Sequence, residues 1–349
     1  MVEPGISLYL ASGRQFNLEI IRKAKAAGIT KGFTSLHIPE EEGKDYRKQA
    51  IALLEDCAEA KIRLTVDVSP ETPGKLGISA IEELRDLGVE AIRLDFGFEE
   101  EDIVNLSRIF HIVWNASTVP ADNMRKWISM GADTTHFTAC HNYYPKCYTG
   151  LSLEKVRKIN EKLKLQGYRT EAFIPGNKVL RGPLKEGLPT VEAHRNQKDL
   201  LLAMLELADA STDVVYIGDA DVTAPVWKWM KDVKSGFVPL HAELYSHPEL
   251  YSVLQHDRPD SSEYVIRSQE SRQLAGSDQI PAENVVERNA GDICMSNEDF
   301  LRYRGEVEVC RRALPRDPRV NVIGKIAETD LAYLPYIKDG MGFCFLQEP

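Results

Sequence analysis

Two hydrophobic periods alternate along residues 6–218. Apolar residues recur at three-to-four spacing in Phe16–Ala27, Tyr46–Ala60, Ile78–Leu87, Glu100–Ser107, Ala121–Met130, Leu153–Leu165 and Glu192–Ala208, which predicts amphipathic helices. Between them lie short β-branched or aromatic runs: Ile6–Leu10, Lys31–Leu36, Arg63–Val68, Ala91–Phe96, Phe110–Asn115, Asp133–Thr138, Tyr168–Ile174 and Val214–Gly218. Several are continuously apolar, the pattern of strands covered on both faces. Gly28, Gly88, Gly131 and Gly167 each stand between a helix and the following strand, where glycine supplies a left-handed closing residue. Eight strands alternating with helices predict an α/β fold, a (β/α)8 TIM-like barrel. A doubly wound open sheet is the alternative, but no G-x-G-x-x-G follows the first strand.

Past residue 240 the helical period fades, apart from Asn297–Tyr303. Short strand-like pieces replace it: Tyr264–Arg267, Asp292–Met295, Glu306–Arg311, Asn321–Gly324 and Phe343–Leu346. The basic residues change too. Residues 1–239 hold 12 Arg and 19 Lys, whereas the last 110 hold 10 Arg and 2 Lys. Together these predict a barrel domain over 1–236 and a small, mostly β domain over 237–349.

A chain of 349 residues with 43% apolar and 28% charged residues can bury its own core. Its net charge of −10 argues against nucleic acid and anionic membrane surfaces as partners. An anion held by a few aimed Arg groups stays compatible with it. No run approaches the roughly 18 apolar residues of a membrane span, and the N-terminus lacks the pattern of a signal peptide. Six scattered cysteines without a C-x-x-C pair fit a reduced, cytoplasmic protein with free thiols. Cys140, His141 and Cys147 match no recognised zinc spacing, so neither metal nor cofactor is expected. Oligomeric state is not readable from these patterns.

In a barrel of this type the active site lies at the C-terminal strand ends. Those ends carry His37 with Glu40 and Glu41, Asp67, Asp95, Asn115 with Ser117, Cys140 to Pro145, and Asp219 with Asp221; Glu171 lies on strand seven. Asp67 and Asp219 read equally well as caps or turn formers. Gly97 follows closely on Asp95 and lets backbone approach a ligand there. The fifteen-residue stretch Pro175–Pro189 is lid-like, with glycine and proline near both ends. Beyond it Glu192 and Arg195 lie about one turn apart, which also fits a plain first-turn ion pair.

These motifs resemble the MupG-type 6-phospho-N-acetylmuramidases, a bacterial family long described as an "outer surface protein" family. The resemblance runs over essentially the whole chain. It rests on Arg93-Leu-Asp95-Phe-Gly97-Phe98, Asn115-Ala-Ser, Cys140-His141-Asn142-Tyr-Tyr-Pro145 with Tyr148-Thr-Gly150-Leu-Ser, and Gly187-Leu-Pro-Thr190-Val-Glu192-Ala-His194-Arg195. Further along it rests on Ile266-Arg267-Ser268 with Ser271-Arg272, Arg288-Asn-Ala-Gly-Asp292, Arg302-Tyr-Arg-Gly-Glu306 and Asn321-Val-Ile-Gly324.

The resemblance implies a TIM-like barrel followed by a cyclophilin-like β domain. It also implies a cytoplasmic, exo-acting glycoside hydrolase of cell-wall recycling. The substrate would be N-acetylmuramic acid 6-phosphate linked β-1,4 to N-acetylglucosamine. Glycoside hydrolysis commonly uses two carboxyl groups; Asp95 and Glu192 are the expected pair, with Glu171 as substitute. The substrate's acetamido group could instead be the nucleophile. Asn115, His141 and Asn142 would bind sugar hydroxyls or the acetamido group. Arg181, Arg195, Arg267 and Arg272 would hold the phosphate and the lactyl carboxylate, the latter two as the second domain's share of a composite site. A sugar-phosphate aldolase or isomerase, or a non-catalytic binder of peptidoglycan fragments, are the alternatives, since a barrel does not fix chemistry.

Overall fold

The computed structural model describes residues 2–36, 45–94, 97–118, 121–276 and 279–347. Asp95, His37, Glu40 and Glu41 lie outside the described residues. The chain divides into two compact units, Val2–Lys234 and Ser235–Pro349.

In the first unit eight parallel strands close into a barrel in sequence order: β1 (Glu3–Ser7), β2 (Lys31–Ser35), β3 (Arg63–Val68), β4 (Ala91–Leu94), β5 (His111–Asn115), β6 (Phe137–Cys140), β7 (Arg169–Ile174) and β8 (Val214–Ile217). β8 pairs back onto β1. The helices are α1 (Arg14–Ala26), α2 (Tyr46–Ala60), α3 (Thr72–Leu76), α4 (Glu100–Ser107), α5 (Ala121–Ser129), α6 (Leu153–Leu165), α7 (Leu200–Asp209) and α8 (Ala224–Lys234).

Alternate residues of each strand point inward. Phe33, Val113, Cys140, Phe173, Val214 and Tyr216 pack together there. Phe173 lies 5.1 Å from Phe33 and 5.4 Å from Tyr216, and Tyr143 closes edge-on over Phe173 at 5.1 Å. The result is a layer of four aromatic rings across the barrel. Gly5 belongs to that layer, because a Cβ there would lie 2.4 Å from the Tyr216 ring.

Several boundaries differ from expectation. β1 is Glu3–Ser7 rather than Ile6–Leu10, since the chain leaves the sheet into a 3-10 turn at Leu10–Ser12. β6 starts at Phe137 rather than Asp133, because the Asp133 carboxylate accepts from the Thr135 amide at 3.1 Å and caps a 3-10 turn. The helix expected over Ile78–Leu87 is only a 3-10 turn at Ile81–Arg85, and the short helix α3 precedes it. Glu192–Ala208 is broken into a 3-10 turn at Glu192–Asn196 and then α7, which restarts where Asp199 accepts from the Leu202 amide at 3.1 Å. The periodicity reading passed over α8.

The second unit is a seven-stranded sheet in the order β10-β15-β9-β14-β12-β13-β11. Its strands are β9 (Phe237–Leu244), β10 (Leu254–His256), β11 (Val265–Arg267), β12 (Asp292–Ser296), β13 (Val307–Cys310), β14 (Val320–Ile326) and β15 (Gly342–Gln347). β9 and β15 are parallel, and the other pairs are antiparallel. β9 escaped the sequence reading because Pro239 argues against a central strand. The sheet accommodates it because β14 pairs only with Ala242–Leu244, beyond the proline. The helix expected over Asn297–Tyr303 is a 3-10 turn, interrupted by Leu301 at φ 54°. All six cysteines are free thiols.

Candidate active site

The C-terminal ends of β3, β4 and β6 are tied by one polar chain. Ser35 donates to Asp67 at 3.2 Å, and the Arg93 guanidinium donates to Asp67 at 3.0 Å. A second Arg93 nitrogen donates to the Asn142 side-chain oxygen. Asp67 and Arg93 are both buried, so each charge needs the other to offset its lost hydration. Asp67 is therefore a wall ion pair and not a helix cap.

The Glu192–Arg195 pair sits on the 3-10 turn and straps loops together. Glu192 accepts from the Tyr148 amide at 2.7 Å and the Gly150 amide at 2.8 Å. Arg195 donates to it from Nε at 2.6 Å and from Nη2 at 2.8 Å. Gly150 has to be glycine, since a Cβ would lie 2.7 Å from the Glu192 carboxylate. Four donors, Arg195 foremost, hold the Glu192 carboxyl at about 2. A group so acidic is ionised near neutral pH. The remaining Arg195 donors go to the carbonyls of Tyr144, Lys146, Glu186 and Gly187. The Arg195 fork is thus spent on acceptors within the wall.

Asp219 fastens the same region from β8. It is buried and accepts from the amides of Gly176 at 2.7 Å, Arg181 at 2.8 Å and Leu188 at 3.2 Å. Burial pushes its carboxyl up, and the three amides oppose that shift. Val179 additionally pairs with Asp221. The stretch 175–189 is thus a strapped loop, which corrects the lid-like expectation.

Glu171 is fully inside the barrel, two residues before Phe173 on the same inward face. That spacing sets it roughly 7 Å down the strand, under the four-ring layer and away from the C-terminal mouth. Its interaction partners are Lys31, Arg169 and Tyr216. Burial raises its carboxyl to about 7. Glu171 is thus a buried group of the barrel interior.

His141 is fully buried. Its Nε2 lies 2.8 Å from the Asn160 side-chain oxygen and its Nδ1 2.9 Å from the Ser117 hydroxyl. Burial lowers its imidazole to about 4. Both of its nitrogens are engaged by the protein. Asn115 accepts from the Ser117 amide at 2.9 Å, an Asx turn. The sequence reading named Ser117 at a strand end without giving it a role and passed over Asn160. The signal for Asn160 was an amide on the inner side of an amphipathic helix.

At the ends of β1 and β8 lies a cleft of about 400 Å³, lined by Tyr9, Ser12, Val179, Arg181, Pro183 and Ala220 among others. The Arg181 guanidinium lies 4.7 Å from the Tyr9 ring centroid, a cation–π contact. The Tyr9 hydroxyl is anchored on the Gly218 carbonyl. In the second unit, Arg267 donates to the buried Glu306 at 2.8 Å, and Arg272 approaches its other oxygen at 3.5 Å. Among the described residues no three His, Cys, Asp or Glu side chains gather as a metal site, and no helix is long and apolar enough to cross a membrane.

The chain is similar to two solved structures over nearly its whole length. A conserved Enterococcus faecalis protein of unknown function is 31% identical, covering 99% of this chain and 97% of its own, with a TM-score of 0.75. An uncharacterised B. cereus protein is 25% identical, covering 99% and 100%, with a TM-score of 0.76. No curated protein matches. The N-terminal model of the 6-phospho-N-acetylmuramidase (MupG) family matches residues 4–232 and its C-terminal model residues 240–346. The chain therefore belongs to the 6-phospho-N-acetylmuramidase family.

Proposed function

We propose that the chain is an exo-acting, cytoplasmic glycoside hydrolase that cleaves N-acetylmuramic acid 6-phosphate from β-1,4-linked N-acetylglucosamine. The match of both family models, together spanning nearly the whole chain, carries this reading. The cleft beside Tyr9 and Arg181 supports it. In barrels of this type, phosphate sites gather at the loops after strands seven and eight, where Arg181 stands. Arg181 is our phosphate ligand. Asn115 and Asn142 each spend a side-chain oxygen on the protein, so we assign their amide N–H groups to the sugars. Arg267 and Arg272 share Glu306 in the second, cyclophilin-like domain, and both are our proposed anion contacts of that domain.

Glu171 lies under the ring layer and Glu192 is saturated by donors, so Asp95 is our choice for the acid. It follows directly on the last residue of β4 in the chain. One carboxyl group fits a substrate-assisted route: Asp95 protonates the leaving oxygen while the acetamido oxygen attacks the anomeric carbon. Water then opens that intermediate with overall retention. The test is incubation with phosphorylated and unphosphorylated β-glycosides of muramic acid and glucosamine, read by mass spectrometry. Cleavage only of the 6-phosphorylated disaccharide, abolished in Asp95→Asn, is the expected result; no cleavage of any glycoside overturns the reading.

A further inference from the structure

Behind the mouth runs a polar chain that the assignments above leave without a function. Asn160, fully buried in α6, donates through Nδ2 to the Ala210 carbonyl at 2.9 Å and to the Thr212 hydroxyl at 3.0 Å. A carbonyl only accepts, so the amide orientation is fixed and Oδ1 faces His141 Nε2. That oxygen needs a donor, which places the imidazole proton on Nε2. The imidazole is neutral, because burial disfavours its cation. Its Nδ1 is then a bare lone pair, and the Ser117 hydroxyl must donate to it across 2.9 Å.

The direction of that proton decides what Ser117 can do. A hydroxyl has one proton and two lone pairs. The proton is spent on His141. Two lone pairs remain, on a half-buried residue just past the end of β5. Ser117 is therefore a fixed acceptor. A fixed acceptor takes an amide N–H and rejects a group that has no proton to donate there, such as the oxygen of an ester.

We propose that Ser117 is a specificity residue of this site, accepting the acetamido N–H of the substrate, with His141 and Asn160 as positioning residues acting through it. This rests on the hydrolase reading above and adds to it a residue that reads the N-acetyl group.

The test is an amide-to-ester comparison. The 6-phosphorylated disaccharide is assayed beside its analogue carrying a 2-O-acetyl ester on the muramic acid ring, which lacks the N–H. The readout is the ratio of kcat/KM for amide over ester. Because both substrates meet the same enzyme sample, the ratio is immune to partial misfolding. Part of the wild-type ratio reflects the weaker nucleophilicity of the ester, and the change of ratio on mutation isolates the Ser117 contact. Ser117→Ala is expected to lower the ratio by about 10–100-fold, the worth of a hydrogen bond plus a stranded acceptor. His141→Gln, which leaves Ser117 present but unfixed, is expected to lower it by a smaller factor. A wild type that cleaves the amide, with a ratio unchanged within about twofold in Ser117→Ala, overturns the Ser117 assignment alone. A wild type that cleaves neither substrate overturns the hydrolase reading and this assignment together.

Discussion

Arg195 meets Glu192 as a fork on a fork, Nε 2.6 Å from one carboxylate oxygen and Nη2 2.8 Å from the other. The pair joins Tyr148 and Gly150 to the carbonyls of Tyr144, Lys146, Glu186 and Gly187. Removing the charge at Glu192 strands a guanidinium whose side chain is 3% exposed. Glu192→Gln should cost about 2–4 kcal/mol of stability, with kcat of the folded fraction little changed. The sign with pH is fixed by the depressed carboxyl. Its stabilising contribution is complete above the unfolded value near 4.5 and is lost as pH falls through about 2. Denaturant unfolding of the two proteins should differ by a constant amount from pH 6 to 8 and converge in acid. A large fall in kcat without a stability change would return Glu192 to the chemistry.

Glu171 predicts the opposite slope. Its carboxyl is raised from 4.5 to about 7 by burial, so folding favours the protonated form. That advantage is complete below the unfolded value and is lost as pH rises through about 7. Wild-type melting temperature should fall between about pH 4.5 and 7 and level off above that, and Glu171→Gln should flatten that fall. The gain at pH 8.5 is on the order of 1–3 kcal/mol. Turnover should survive the substitution, since the group lies beneath the ring layer. An unchanged slope would show that Glu171 is solvated or paired more strongly than its surroundings indicate.

Asp219 holds three loop amides at once. Asp219→Ala leaves them without their buried acceptor, at about 1–3 kcal/mol each before water compensates. The loop should then open, and limited proteolysis should cut near the exposed Leu184 at concentrations the wild type resists. KM should rise, because the Arg181 backbone is one of the three anchors. Equal protease resistance in both proteins would mean that the remaining straps suffice.

The barrel was readable because each strand and helix carries its own period, and eight strands without a G-x-G-x-x-G after the first favour a closed barrel over a doubly wound sheet. Boundaries failed where a side chain competed with the backbone, as at Asp133 and Asp199, or where proline masked a strand, as in β9. The site was readable as a set of polar strand ends and unreadable in the roles of those residues. Sequence spacing put Glu192 and Arg195 together but could not show that four donors saturate the carboxylate. It placed Glu171 on a strand but not under four rings contributed by β2, β7, β8 and the loop after β6. Ser117 stood inside a recognised motif, yet its importance comes from Asn160, 43 positions away, through a histidine between them.

Arg181 gives the sharpest test of the substrate assignment. Its guanidinium lies over the Tyr9 ring, its backbone is fixed by Asp219, and it lines the cleft at the β7 and β8 loops. If it grips the 6-phosphate in ground state and transition state alike, its loss removes uniform binding. Arg181→Ala should then raise KM for the phosphorylated disaccharide by about 10–100-fold, the equivalent of a hydrogen bond to a charged group, with kcat within about threefold. Arg181→Lys should recover part of the loss, since it keeps the charge but not the planar fork. The unphosphorylated disaccharide, however poorly turned over by the wild type, should be handled no worse by Arg181→Ala. Equal losses on both substrates would mean that Arg181 shapes the cleft through Tyr9, and the phosphate ligand would have to be sought elsewhere.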